Sequence, residues 1–434
     1  MSRNRRIRRI VTGFVVVVPA LSLACADPPT TPRVADPASI AAVSDRSDHA
    51  SQPLAAIAWE MTARDLVASH PTVSPLAGAR IYALLGVAQY GAASAADFGG
   101  GRAQDDALRG AIGGASVEVL TYLFPDAAAA LEQQLAADGN ARPGGTSPHF
   151  TRGVATGRAT GDAMRAWGAA DGFSLPWDHA VLPSGPGLWI AVPNVAPAGF
   201  QFPTLHPYFL TSASQFRPSP PPAFGSAEFL AGLAAVRLAS DTRGQAETDI
   251  ANFWNLSNGT PTPAGYWAAR GAGLLAAQHA GERDAAHLFA LMNASELDAL
   301  IGCFEAKYHY LLMRPSQADP LITRPIGPPG FPYALPNHPS YPSGHSCASA
   351  AAVTVLESWF PSQTTALDAE LAQAGLSRVL GGIHYPFDVA AGQALGRATA
   401  HWAMDYDADR GLLTEVGLAS DAYATRDNDR DGDR

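Results

Sequence analysis

The residues of this 434-residue sequence best suited to chemistry lie between Lys307 and Asp388. They form three groups: Lys307 and Arg314 in KYHYLLMRP, His338 and the turn Pro342-Ser343-Gly344-His345 in HPSYPSGHS, and Arg378, His384 and Asp388 in SRVLGGIHYPFD. Three cations, a hydroxyl beside a glycine, and several imidazoles are the parts of a pocket for a multiply charged oxyanion, because charge-assisted N–H and O–H donors are what such an ion requires. Of the 29 lysines and arginines, Lys307 is the only lysine. A compact ammonium is kept at this one place, where a planar guanidinium would be a different ligand.

The spacings state how these residues should meet. Lys307 and Arg314 are seven residues apart, which on one helix puts them about two turns apart on a shared face. Pro315 is expected to end that helix and leave Arg314 in its last turn. The competing reading is two cations on a solvated face, and the flanking Tyr308, Tyr310, Leu311 and Leu312 weigh against it. The Pro-Ser-Gly-His turn precedes an alanine-rich run, so it should open a helix whose first N–H groups, with Ser343 and Gly344, cradle an anion and place His345 at the mouth. Alone, that four-residue turn is a weak signal. Gly381-Gly382 lets the backbone fold Arg378 and His384 onto one centre, and Asp388 can take the second imidazole N–H and fix its tautomer.

The elements that must carry these groups read as all-α. Alanine-rich stretches with apolar residues at helical spacing predict helices over 55–68, 75–95, 105–137 with a break near Pro125, and 151–170; then 226–238, 246–253, 263–279, 283–313, 346–359, 366–377 and 386–404. The simplest arrangement is two four-helix-bundle-like halves, 53–171 and 226–406, joined by a Pro-rich connection over 172–225 and a set of Pro/Gly-rich loops. A connection that long should be a functional wall or a wrap between halves. Its Trp177, Trp189, Phe202, Tyr208 and Phe216 are expected to anchor it. The first half shows no chemical constellation and reads as scaffold.

The termini carry different information. Residues 1–26 resemble an export signal: five arginines, an apolar run too short for a confident membrane span, then Ala24-Cys25-Ala26. Cleavage before Asp27 competes with a lipobox reading that leaves Cys25 lipidated, so the chain is expected to be exported as a periplasmic, extracellular or envelope-anchored protein. Residues 27–52 read as a disordered tether and 407–434 as a polar acidic tail, in which Asp427, Asp429 and Asp431 mimic the start of a calcium loop without its closing glutamate. The formal charge of −10 becomes about −15 without the first 24 residues, from 24 basic against 39 acidic. A field of that sign excludes nucleic acid and anionic membrane surfaces as partners, leaving a lipid at Cys25 as the only membrane link. Cys303 and Cys347 lie beside the candidate site; two buried free thiols are favoured over a disulfide between them. An oligomer is compatible with everything above.

The three groups in this order, Lys-x6-Arg-Pro, Pro-Ser-Gly-His and Ser-Arg-x5-His-x3-Asp, resemble the three signatures of the phosphatidic acid phosphatase type 2 and vanadium haloperoxidase superfamily. GPGLW at 185–189, FRPSPPPAF at 216–224, DIANFW at 249–254 and EAKYHYLLMRP at 305–315 are similar to the bacterial vanadium haloperoxidase branch, a likeness that extends over about 52–405. The resemblance implies vanadate held by Lys307, Arg314, Ser343, Gly344 and Arg378 and bonded to His384. It makes His345 the acid/base. Hydrogen peroxide would give a peroxovanadate that oxidises a halide, with a small organic molecule as the acceptor. His338 stands where algal bromoperoxidases carry His and fungal chloroperoxidases Phe, and Phe304 where the chloroperoxidases carry Trp, which implies bromide or iodide over chloride. A packing or hydrogen-bonding role for His338 is the plainer reading. Phosphate has the same charge and shape as vanadate, so two alternatives stand beside this one: a secreted acid phosphatase working through a phosphohistidine at His384, and a non-catalytic oxyanion-binding lipoprotein.

Overall fold

The computed structural model describes residues 53–96, 100–141, 145–326, 335–414 and 416–418. The export signal, Cys25, the tether and the Asp427–Asp431 pattern lie outside the described residues. Within them are thirteen α-helices: α1 Ala55–Ser69, α2 Pro75–Ala95, α3 Arg102–Leu123, α4 Ala128–Asn140, α5 Pro148–Ala170, α6 Ala227–Thr242, α7 Gln245–Phe253, α8 Thr262–Ala277, α9 Glu282–Tyr310, α10 Pro315–Ala318, α11 Gly344–Trp359, α12 Thr364–Leu380 and α13 Pro386–Arg410. The all-α class expected from the sequence is the class observed, and the only extended pairing described is an isolated bridge between Leu188 and Leu312. No described helix is long and apolar enough to cross a membrane.

Helix starts follow local chemistry. Ser74 and Ser147 each precede a proline, and each accepts a hydrogen bond from the backbone N–H three residues on, at 3.2 and 3.1 Å. This Ser-Pro cap begins α5 at Pro148, three residues before the start expected from apolar spacing. Leu54 offers α1 no side-chain cap. Its first N–H groups are met instead by the Glu282 carboxylate at the start of α9, which accepts from Ala55 N at 2.8 Å and pairs with Arg109 at 2.9 Å.

α9 is the axis of the molecule. It packs on α2 in the first half and on α11 and α13 in the second, so one hydrophobic core runs through both halves. The connection over 172–225 is a wrap tied to this helix. The Asp298 carboxylate accepts from the backbone N–H groups of Tyr208, Phe209 and Leu210 at 2.8, 2.7 and 3.0 Å, and Arg217 pairs with Glu305. Burial lifts the pKa of Asp298 to about 6 against the pull of those three donors. Trp189, Phe202 and Tyr208 are buried and Phe216 packs on the core, as anchors should. Trp177 departs from that expectation: it is half-buried and lies against His179, with ring centroids 4.6 Å apart. The acidic tail begins later than expected, since α13 runs to Arg410 and Leu412 and Leu413 are buried in the core.

Where α1 meets α9 lies a polar cluster that no sequence pattern announced. Glu60 of α1 and Glu296 of α9 are fully buried, both Glu296 oxygens and one Glu60 oxygen lack a hydrogen-bond partner, and Asn293 donates to Glu60 at 3.3 Å. Burial, and for Glu296 the neighbouring Glu60 charge, push both carboxyl groups well above the usual range. Groups whose folded pKa is raised stabilise the native state at low pH, and that contribution is lost as pH rises through the folded pKa. Glu296→Gln is therefore expected to melt near the parent at about pH 5 and above it at about pH 9. Melting curves across that range check it, and a parent whose stability is flat with pH would contradict the buried acids' role.

Candidate active site

The site sits at the inner end of α9, where three backbone features converge. α9 stops at Tyr310 because Leu311 turns left-handed (φ 52°) with its N–H on Lys307 O at 2.9 Å. The chain then runs extended against the connection, with Trp189 N on Leu311 O at 2.7 Å and Met313 N on Gly187 O at 2.9 Å. This tertiary pairing replaces the last helical turn expected before Pro315. Lys307 and Arg314 do converge, but not as neighbours on one helix face: Arg314 has extended backbone and precedes α10.

The second feature is the turn into α11. Ser343 caps it, accepting from Ser346 N at 3.4 Å and Ser346 Oγ at 3.0 Å. The turn rests on α13, whose Gly392 comes so close that a Cβ there would lie 2.7 Å from Ser343 O. The third feature is the end of α12. Gly382 takes φ 70°, and a Cβ at that position would lie 2.7 Å from Thr323 O, so the reversal that returns His384 beneath Arg378 needs glycine. Gly382 meets the expectation for its turn, whereas in the first turn the close approach belongs to Gly392 of α13 and a Cβ on Gly344 would meet nothing nearer than 3.8 Å.

Lys307, Arg314, Ser343, Arg378, His384 and Asp388 are buried, while His338, Gly344 and His345 are half-buried and form the mouth. Arg314 donates to His338 O at 3.1 Å, Ile383 O at 2.8 Å, His384 Nε2 at 3.1 Å and His338 Nδ1 at 3.0 Å. Arg378 donates to Ser377 Oγ at 2.9 Å and Ala251 O at 3.3 Å. All three donors of Lys307 meet backbone carbonyls, Pro339 at 3.0 Å, Ser340 at 2.8 Å and Pro342. The lone lysine thus organises the loop that carries the cradle as well as charging the pocket. A planar fork cannot point three donors at that triangle of acceptors. Lys307→Arg is expected to destabilise the fold by about 2 kcal/mol and weaken anion binding together, since carbonyls are left unsatisfied; unchanged melting and affinity would contradict this.

His384 Nδ1 lies 2.9 Å from Asp388 Oδ2, which also accepts from Ser340 Oγ at 2.5 Å and Tyr385 N at 3.1 Å. A ring nitrogen facing a carboxylate carries the proton, so Nε2 keeps its lone pair and presents it beside Arg314. His345 Nε2 lies 3.1 Å from Asn255 O, which makes it the donor and leaves Nδ1 as the basic nitrogen. Burial first, then the nearby arginines, hold His338, His345 and His384 well below the usual imidazole range, so all three are neutral at neutral pH. Burial lowers Lys307 to about 8, Arg314 to about 10 and Arg378 to about 9 and raises Asp388 to about 6.

One contrast marks the pocket. The other buried arginines, Arg80 and Arg109, are ion-paired to Asp171 and Glu282. Among the described residues, no ion pair joins Lys307, Arg314 or Arg378 to a carboxylate. Three buried cations face one carboxylate, Asp388, whose engaged oxygen is already shared by His384, Ser340 and Tyr385. Uncompensated buried charge is costly, so the pocket is built for an anion of charge at least two.

Residues 286–411, which contain all of these groups, match the PAP2 superfamily model. Across solved structures the chain shares its fold with a bacterial vanadium-dependent iodoperoxidase (21% identity, TM-score 0.64, covering 80% of this chain and 95% of that one). It also resembles a holo-type bacterial vanadium-dependent chloroperoxidase at 15% identity, TM-score 0.62, 81% of this chain and 96% of that one, and an apo-type form at 14% and 0.62. No curated protein matches.

The structure brings together every site residue expected from sequence. It adds four that sequence reasoning gave no role: Ser340, which supports Asp388; Ser377, which orients Arg378; and Ala251 and Asn255, whose carbonyls receive Arg378 and His345. Ala251 lies within the DIANFW stretch and Asn255 directly follows it, and that positional clue is the only signal the sequence offers.

Proposed function

We propose that this protein is a vanadate-dependent haloperoxidase, oxidising bromide or iodide in preference to chloride with hydrogen peroxide and passing the oxidised halogen to a small organic acceptor. The observation that supports it is the group of three buried cations without a carboxylate partner, beside an imidazole whose unprotonated Nε2 meets only Arg314. The donor set fits vanadate: Arg314, Arg378, Ser343 and the Gly344 N–H would hold its oxygens, Lys307 would add charge from below, and His384 Nε2 would be its protein ligand. Packing leaves room at Gly344, where a Cβ would meet Phe304 only at 3.8 Å, so the protein's own contacts do not demand glycine there.

Bound vanadate would supply the Lewis acid that activates peroxide, since none of the side chains is itself redox-active at the centre. The chain supplies the rest. Asp388 keeps the proton on His384 Nδ1 and the lone pair on Nε2. Neutral His345 at the mouth can take a proton at Nδ1 from an incoming peroxide and return it to a leaving oxygen, and the nearby Arg378 charge keeps it unprotonated until then. His338, tilted against the Phe304 ring with centroids 5.0 Å apart and bonded to Arg314, lines the same mouth and would tune halide access.

The same unprotonated Nε2 would serve as a nucleophile on a phosphate ester, which makes phosphatase activity the rival reading. The fold shared with haloperoxidases over four-fifths of the chain supports the first. Loading the full chain with orthovanadate and following peroxide-dependent halogenation of a dye with chloride, bromide and iodide, beside aryl phosphate hydrolysis by the vanadate-free form, separates them. Bromination or iodination that needs both vanadate and peroxide is expected. Hydrolysis without halogenation would overturn the proposal.

A further inference from the structure

Directly beneath the cradle lie two thiols that the proposed reaction does not use. Cys303 is on α9 one turn before Lys307, and Cys347 is in the first turn of α11, its N–H on Ser343 O at 3.0 Å. Both are free and fully buried. They come from two helices that pack on each other, close enough for each thiol to perturb the other. Cys303 Sγ also lies 3.7 Å from Pro342 O, the carbonyl that receives Lys307 Nζ. The pair is therefore wedged between the helix that carries the lysine and the turn that carries Ser343, Gly344 and His345.

We infer that Cys303 and Cys347 are an oxidative modification site, converted by hydrogen peroxide to a disulfide that ties α9 to the base of the anion cradle. The chemistry balances with peroxide as the oxidant. The Cys303 sulfur attacks one peroxide oxygen, an S–O bond forms as the O–O bond breaks, and the second oxygen leaves as water, giving a sulfenic acid. The Cys347 sulfur then attacks Cys303 Sγ, the S–S bond forms, and the sulfenic oxygen leaves as a second water. Two electrons pass from the sulfurs to peroxide, and both thiol protons end in water.

The order of attack follows from the surroundings. Cys303 Sγ and the Lys307 ammonium meet the same Pro342 carbonyl, and a neighbouring cation favours the thiolate, so Cys303 is the attacking sulfur and Cys347 the resolving one. Hydrogen peroxide is the proposed co-substrate, yet added peroxide tests the pair whether or not the haloperoxidase reading holds.

The test uses the full chain with Cys25→Ser, reduced, freed of reductant and exposed to hydrogen peroxide in native buffer. Thiol counting should fall from two to none, and non-reducing peptide mapping should show a Cys303–Cys347 cross-link that dithiothreitol reverses. In Cys347→Ser, dimedone should capture Cys303; in Cys303→Ser, Cys347 should remain unlabelled. Two persistent thiols, or Cys303 passing to a sulfinate without a cross-link, would overturn the inference.

Discussion

His384→Ala is expected to abolish saturable orthovanadate binding while leaving the chain folded. The substitution removes the Nε2 lone pair proposed as the direct ligand. Asp388, freed of the imidazole, keeps Ser340 Oγ and Tyr385 N on the same oxygen, so no new orphan is created on that side. The remaining losses are the Arg314 bond to Nε2, one of five that its side chain makes, and a cavity of imidazole size. A cavity of that kind costs about 2–4 kcal/mol, which a chain of this size can absorb. Equilibrium dialysis against orthovanadate, with a melting curve for each protein, checks both halves of the prediction. Parent-like binding by the variant would remove His384 from its proposed role.

Arg378→Met should separate function from stability in the opposite sense to an ordinary core mutation. Arg378 is buried, carries no ion pair, and makes only two hydrogen bonds, to Ser377 Oγ and at 3.3 Å to Ala251 O. Burial and the Arg314 charge pull its pKa to about 9, a measure of how poorly the site accommodates the cation by itself. Methionine has a similar reach and no charge, so the folded state is expected to be as stable as the parent or more stable, by up to about 4 kcal/mol. Vanadate affinity should fall by roughly a hundredfold, the loss of about 3 kcal/mol of charge-assisted hydrogen bonding. A structural arginine would give the reverse: a lower melting temperature with affinity preserved. Calorimetry and vanadate titration of the same preparation distinguish the two.

These expectations rest on residues that were legible in sequence to different degrees. The three groups, their convergence and the His384–Asp388 pair could be read because residue types at short spacings imply local geometry. Lys307 and Arg314 converge for a reason the spacing did not contain: the left-handed Leu311 and the pairing of Gly187–Trp189 with Leu311–Met313 end α9 early, and that contact spans more than a hundred residues. The acceptors of Lys307 were equally hidden, since carbonyls carry no sequence signature. Serines are common enough that Ser340 and Ser377 gave no signal until their partners were placed. Glu60 and Glu296 escaped because a glutamate within a helical pattern normally marks the solvated face; here the long α9 is buried on nearly every side, and the rule fails with it. The Ser-Pro helix starts were readable, and α5 was simply begun one cap too late.

The most direct test of the central claim, that the three unpaired buried cations and His384 form one oxyanion site, is a calorimetric titration of the dialysed full chain with orthovanadate in the presence and absence of inorganic phosphate. One saturable equivalent per chain, displaced competitively by phosphate and weakened roughly a hundredfold in Arg378→Met, is the predicted result. No saturable binding, or binding that neither phosphate nor Arg378→Met disturbs, would contradict it.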